Sequence, residues 1–359
     1  MSTTTIGTAE AAAGGVPTLR SSRRRSRIRR GQGVAGWLFV APGLTILTLF
    51  LFVPIVLALY VSFTKWNGLT NPLSGGAKWI GFDNYKTLIT QDSLTRLNFM
   101  TAVRNNFYFV LFVVPLQTAI ALFLAVLVNN NLLKGRSFFR TAFYFPSVTS
   151  SIAITLVFIF LFQGGGTVNR LLSYIGIHGP NWLINTNGVF HNVLGLFGVH
   201  GPPGWAKQQF FSLSWWDWFA GPSIGMCVVI VLCVFTTSGT FMLMFLAALQ
   251  NIAEDVDEAS EIDGATKWQQ FRFVTLPMLR PTLLLVLTLG LIGSWQVFDQ
   301  IFLLGPNNQT VSTPAYLSYQ LSFQNSAFGV GAAIAFLLFL LIVVLSWAQR
   351  RFLPEDIES

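Results

Sequence analysis

Apolar residues fall into six long runs, residues 37–63, 107–128, 141–162, 219–249, 282–304 and 327–348, with charged residues held almost wholly between them. Each run supplies the roughly 20 residues a helix needs to cross about 30 Å of hydrocarbon at about 1.5 Å per residue. None alternates with the period of two that a membrane β-strand shows, and a helix closes its backbone hydrogen bonds inside one lipid-exposed segment. The pattern predicts an all-α polytopic membrane protein with six transmembrane helices. A polar tail, residues 1–35, precedes them, and a short one, residues 353–359, follows. The first tail is rich in Gly, Ser, Thr and Ala, offers little to bury, and is expected to be disordered.

The segments between the runs are unequal. Residues 64–106 are polar and mixed, with turn signals at Gly75-Gly76 and Asp83-Asn84. Residues 163–218 open on Gly164-Gly165-Gly166 and end crowded with Trp205, Phe210, Phe211, Trp215, Trp216 and Trp218, with Phe219 next in line. That density beside a span fits an interfacial aromatic belt, with a gate or docking surface as the alternative. Residues 250–281 differ in kind. Apolar residues recur at every third position (Ala253, Val256, Ala259, Ile262, Ala265, Trp268, Phe271) with acids filling the gaps. A period of three drifts around an α-helix, so the stripe needs a break, and Asp263-Gly264 supplies one. Two short amphipathic helices at an angle are expected, the second restarting near Thr266 and closed by Leu276-Pro277 and Arg280-Pro281. A loop that only reversed the chain needs none of this. It reads as a docking element for something in the aqueous phase.

Charge sets the orientation. Only 10% of the residues are charged and 53% are hydrophobic, against about 25% charged in soluble domains. Seven arginines precede the first span; Lys134, Arg136, Arg140, Lys267, Arg272, Arg280, Arg350 and Arg351 follow on the same side, fifteen of the 22 basic residues. By the positive-inside rule that side is cytoplasmic, and with it both termini and residues 250–281. The net charge of +8 is largely this tail, a topogenic signal beside anionic headgroups, and no nucleic-acid partner follows from it. The run after the tail is too long for the core of a cleaved signal peptide. Cys227 and Cys233 fit as small apolar helix residues, and His178, His191 and His200 lack the close spacing of metal ligands, so no metal site is expected.

The run Glu258-Ala259-Ser260, Asp263-Gly264-Ala265 and then Leu276-Pro277 resembles the EAA loop of binding-protein-dependent ABC importer permeases. Phe298-Asp299 with Gly305-Pro306, and Phe328-Gly329 opening the sixth run, resemble the carbohydrate-uptake branch, the maltose and glycerol-phosphate type. The resemblance covers about residues 105–352. Departures are Ser260 at the third motif position, Val274 for the usual Ile, one Gly before Pro306, and the long 163–218 segment. The resemblance implies a type I ABC importer permease (MetI-like) fold over residues 36–352, with a core at 105–352 and a cytoplasmic coupling loop at 250–281. Glu258, Ala259, Ser260, Asp263, Gly264, Ala265 and Pro277 then form the contact with the ATPase. Its implied partners are two copies of a cytoplasmic ATPase subunit, a second homologous permease and an external solute-binding protein, at a bacterial plasma membrane. The chain holds no G-x-x-x-x-G-K-[ST] sequence, so ATP hydrolysis is expected on another polypeptide, and no cofactor or catalytic residue is expected in this one. ATP and Mg belong to the partner ATPase, where phosphates need that loop. A rival reading lays the amphipathic stretch on the inner leaflet, where its acids would meet anionic lipid.

Polar residues inside the runs mark a candidate path. Ser147 and Ser151 open the third run; Thr236, Thr237 and Thr240 sit in the fourth; Gly290, Gly293, Ser294 and Gln296 sit in the fifth. Helix packing explains many such residues. The resemblance places these where maltose-type permeases contact sugar, with Trp295 or Phe298 available to stack on a pyranose. Asp299 is the one charge well inside a run, either a sugar-hydroxyl acceptor or the partner of an external cation. The expected function is the transmembrane subunit of an ATP-driven importer for an oligosaccharide or related polyol. The alternatives are an ion-coupled secondary transporter built on Asp299 and, weaker, a membrane-embedded enzyme.

Overall fold

A computed structural model describes residues 30–129, 134–199, 201–304 and 310–352. The expectations for most of the first tail, for the last seven residues, for Gly305-Pro306 and for His200 fall outside the described residues. The chain divides into two units, residues 1–55 and 56–359. The first holds α1 (Arg30–Leu47), a π-turn at Thr48–Phe52 and the first three residues of α2 (Val53–Ser62), whose remainder belongs to the second. Pro54 accounts for the π-turn. It has no N–H to give, its ring would strike the carbonyl four residues back, and the Val53 N–H bonds Thr48 O instead.

In the second unit, strands β1 (Thr64–Lys65) and β2 (Lys78–Trp79) pair antiparallel and lead to α3 (Asp83–Ile89). Next comes α4 (Leu94–Asn129), 36 residues long. At about 1.5 Å per residue it exceeds the roughly 30 Å hydrocarbon layer, and it starts well before the apolar run at residue 107. Arg96 and Arg104 interrupt the hydropathy and not the helix, because Arg is a good helix former. The Arg104 guanidinium bonds Asp217 O at 3.2 Å and Asn105 Oδ1 at 3.0 Å.

The third run, expected to be one helix, is broken. α5 (Arg136–Val148) stops at extended Thr149 and α6 (Ser151–Phe162) restarts after Ser150. Pro146 and the hydroxyl cluster behind it favour the break, and Thr149 Oγ1 bonds Phe145 O at 2.9 Å. The apolar span that the structure offers here is Ser151–Tyr174, through the turn at residues 163–166 into α7 (Thr167–Tyr174). The outer segment continues with α8 (Val189–Leu196), hairpin β3 (Gln209–Phe210) with β4 (Leu213–Ser214), and α9 (Trp215–Trp218) under a Ser214–Asp217 capping box. Phe210 stacks on Trp215, so the aromatics contact one another.

The fourth run loses its first residues to a turn with Gly221 at φ +77°. Ser223 then caps α10 (Ile224–Gln250), accepting the Met226 N–H. α11 (Glu254–Ile262), α12 (Lys267–Gln270) and α13 (Leu276–Met278) lead to α14 (Arg280–Trp295). The fifth run also breaks, at residues 296–298, before α15 (Asp299–Leu303). Asn106 Nδ2 bonds Trp295 O and Thr313 Oγ1 bonds Val297 O, both at 3.1 Å, so neighbouring side chains satisfy the carbonyls that the break frees. α16 (Pro314–Tyr319) and α17 (Phe328–Phe352) complete the chain. Among the described residues, six helical segments are long and apolar enough to cross a membrane. α10 is the central one: Ala121, Ala125 and Val128 of α4 are fully buried against a layer holding its Met242, Phe245 and Leu246. Small residues at that seam let the two backbones approach closely.

Candidate functional site

Residues 253–280 fold as the sequence predicts at the break and differently at the end. α11 finishes at Asp263, and Gly264 takes φ +77°. Gly264 N–H donates to Glu261 O and Ala265 N–H to Ser260 O, both at 3.0 Å. Those are the two bonds of a Schellman turn. Thr266 caps α12 in a capping box with Gln269. Gln270 Nε2 donates to Asp257 Oδ1 at 2.8 Å, and Lys267 pairs with Glu261, tying the two helices across the turn.

The inward side of this pair is polar: Ser260 and Gln270 are buried, and Ser260 Oγ bonds Asp257 O. Of the predicted apolar stripe, Ile262 and Trp268 face out, 86% and 66% exposed, while Val256, Ala265 and Phe271 are half-buried; Phe273, outside the predicted stripe, is 68% exposed beside them. Glu258, Ala259, Asp263, Gly264 and Pro277 are exposed too, and Ala265 is half-buried. The prolines do not close the segment. A π-turn at Phe271–Thr275 brings the Leu276 N–H to Phe271 O, which makes room for Pro277. Leu279 stays in the right-handed region, donates to Thr275 O at 3.1 Å and accepts from Leu283 N–H at 2.8 Å. One kinked helical path therefore joins the exposed stripe to α14.

The polar residues of the third, fourth and fifth runs meet at two adjoining cavities of about 300 Å³ each, which share Thr237, Phe241 and Gln300. One is lined by Ser147, Ser151, Thr236, Thr237 and Thr240, at the break between α5 and α6. The other is lined by Gly290, Gly293, Ser294, Gln296, Phe298 and Asp299, at the break after α14. Gln300 Nε2 donates to Ser151 Oγ at 3.2 Å, joining the two broken helices. Asp299 is exposed at the first turn of α15 and follows an interruption of its span. Trp295 is not available to this path. It turns to an apolar cavity beside Met100 and Leu337, leaving Phe298 as the ring at the polar one.

Gln117 was missed. It lines the second cavity, is 1% exposed, and its Nε2 has no partner. The Thr237 hydroxyl reaches both Gln117 Oε1 at 2.6 Å and Cys233 O at 2.7 Å, yet has one hydrogen to give. A Cβ on Gly290 would stand 2.5 Å from Nε2. Its signal was available, since Gln117 is the one amide inside residues 107–128.

In the 163–218 segment, His191 stacks on Trp216 at 4.1 Å between centroids and bonds Trp216 O through Nε2 at 3.0 Å. Burial holds its pKa below the ordinary 6.5, against the opposing pull of that bond and of Asp217, with Arg104 adding to the depression.

Residues 117–355 match the family of binding-protein-dependent transport system inner membrane components, and the chain belongs to that family. It is thus a multi-pass membrane component of a binding-protein-dependent transport system. It is 30% identical over 333 residues to the lactose transport system permease protein LacF of Rhizobium radiobacter, covering 90% of this chain and 96% of the relative. It is also 30% identical over 321 residues to the multiple sugar-binding transport system permease protein MsmF of Streptococcus mutans, covering 88% and 94%. Among solved structures, a chain of a bacterial alginate ABC transporter in complex with alginate pentasaccharide-bound periplasmic protein shares the fold. Its TM-score is 0.70 at 20% identity, over 92% of this chain and 97% of that one.

Proposed function

We propose that this chain is the transmembrane subunit of an ATP-driven importer that translocates an oligosaccharide or related polyol delivered by an external binding protein. One observation carries the reading: adjoining cavities lined by hydroxyls, the amides of Gln117, Gln296 and Gln300, and Asp299 are joined by a kinked helical path to an exposed apolar turn. Hydroxyls and amides suit sugar hydroxyls, since each both donates and accepts or offers both groups, and the sugar permeases among the relatives support the substrate class.

Glu258, Ala259, Ser260, Asp263, Gly264, Ala265 and Pro277 form the coupling contact, in which Ile262, Trp268 and Phe273 enter a groove of a cytoplasmic ATPase. An amphipathic helix in a groove is a recurring recognition mode. Burying each large side chain stabilises such a contact by roughly 1.5–3 kcal/mol. The complex comprises two ATPase copies, which bind ATP and Mg, a second homologous permease and the binding protein. This chain performs no covalent chemistry, and both of its termini are cytoplasmic. Closure of the ATPases tilts α14, and the cavity exchanges its opening from one side to the other.

The test is affinity purification from the native membrane, with mass spectrometry of what accompanies the chain. Recovery of a Walker-motif ATPase, a second six-span protein and a secreted binding protein is expected. A lone polypeptide, even after crosslinking through a cysteine placed at Ala265, would overturn the assembly. For the path, Thr240→Leu with Ser294→Leu is expected to abolish uptake and substrate-stimulated ATPase together. Unchanged values for both would remove these residues from it.

A further inference from the structure

The hairpin β3–β4 turns through two residues that seldom accept its geometry. Phe211 and Ser212 have φ of 50° and 63°, the left-handed pair that a type I′ turn requires and that Asn-Gly usually supplies. A bulky residue held there is strained, and such strain persists where the surroundings or a function fix it. The strained turn sets the Phe211 ring against a cavity of about 350 Å³ walled by Met100 of α4, Leu337 and Leu341 of α17, and Trp295 of α14. Every side chain lining it is aliphatic, aromatic or proline. The volume lies in the range, roughly 300–1,000 Å³, of pockets that take small molecules.

Two polar groups near this apolar site keep a donor without an acceptor. Trp295 is 3% exposed and its indole N–H has no partner, whereas the Trp218 indole in the same wall donates to Phe210 O at 2.9 Å. Buried indoles normally find an acceptor, so Trp295 is the exception in this wall. Behind Phe211, the Arg96 guanidinium carbon lies 5.9 Å from the ring centroid. Arg96 donates through one nitrogen to Asp92 Oδ1 at 2.5 Å and to Thr90 O at 3.3 Å, while its Nε is buried and unpartnered.

A sugar or a peptide would leave its own hydroxyls or amides unsatisfied in such a lining. An acyl chain would not. α4 and α17 are both membrane-spanning, so acyl chains are the solvent these helices meet, and guanidinium is a good partner for phosphate. We propose that this cavity holds one acyl chain of a membrane phospholipid. Arg96 faces its phosphate, and the Phe211 turn covers it. The site is separate from the polar path and does not depend on it.

The test is native mass spectrometry of the whole transporter, purified in mild detergent, stripped by detergent exchange and supplied with phosphatidylglycerol. The wild type is expected to keep one phosphatidylglycerol on this subunit. Leu337→Trp, which fills the cavity, should lower that occupancy at least tenfold. Leu156→Trp, on an exposed face of α6, should leave it unchanged. Arg96→Gln, outside the cavity wall, should lower it several-fold; this arm still decides if the filled cavity fails to fold. Equal retention by the wild type, Leu337→Trp and Arg96→Gln overturns the proposal. So does loss of a co-purifying second permease in Leu337→Trp with lipid retention intact, which would make the cavity a subunit seat.

Discussion

Gly264 and Gly290 are constrained for opposite reasons. At Gly264 the backbone is the obstacle: φ is +77°, yet an added Cβ meets nothing within 4 Å of its own chain. Forcing a Cβ-bearing residue into that region costs roughly 1–2 kcal/mol. Gly264→Ala is therefore expected to fold and to lower transport several-fold by loosening the turn. Gly264→Asp, which adds a charge at the proposed contact, should abolish uptake at normal expression; wild-type uptake by that variant would sink the coupling assignment. At Gly290 the obstacle is Gln117, whose Nε2 lies 2.5 Å from the added Cβ. Overpacking of this kind costs roughly 1–3 kcal/mol. Gly290→Ala should lower the thermal midpoint of the purified protein and cut uptake, and Gln117→Ser in the same chain should restore the midpoint. A single-variant midpoint equal to wild type would show that the amide moves aside freely. The glycine and hydroxyl positions were legible because Gly and Thr stand out in apolar runs. Gln117 is less legible, because one amide barely lowers the hydropathy of the apolar run around it.

Elements were legible in number and blurred in continuity. Hydropathy integrates over a window, so residues 141–162 and 282–304 read as unbroken helices. The first break had a local cause in Pro146 and its neighbouring hydroxyls. The second had none: Asn106, which bonds Trp295 O, lies 189 residues away in sequence. Discontinuous membrane helices are tolerated where they line a cavity or lie buried in protein, and both breaks here border the polar cavities. The α11–α12 pair was legible to the residue, since Gly264 and the Thr266 cap are local signals. Its exposed stripe makes a separable prediction. Trp268→Asp removes an outward ring without touching the core, so thermal stability should stay within about 0.5 kcal/mol, as for ordinary surface changes. Recovery of the ATPase on purification should fall at least tenfold. Undiminished recovery would assign the stripe elsewhere.

At the scale of the molecule, the six spans and the family were readable, whereas the build of the 163–218 segment was not. Its contacts are long-range: Val189 N–H to Pro222 O, Arg104 to Asp217 O and Tyr108 OH to Trp218 O. His191 gives this segment a pH dependence of definite sign. Burial depresses its pKa, so the folded loop prefers the neutral ring. The stabilisation is complete above the ordinary value of 6.5 and is lost as pH falls through the depressed one. Limited proteolysis of the loop should accelerate on acidification below that ordinary value. His191→Gln should flatten the response, and an unchanged acid response in that variant would place the titrating group elsewhere.

The π-turn before Pro277 has a consequence for the whole machine. Such a turn amounts to one residue inserted into an α-helix, and one residue is about 100° of rotation. The bearing of Trp268 toward the water and the bearing of Gly290 toward the cavity are thus clocked against each other by a single position. Removing Val274 together with Pro277→Ala would preserve both faces and swing one past the other by about a quarter turn. Coupling in this chain is a matter of phase as much as of contact.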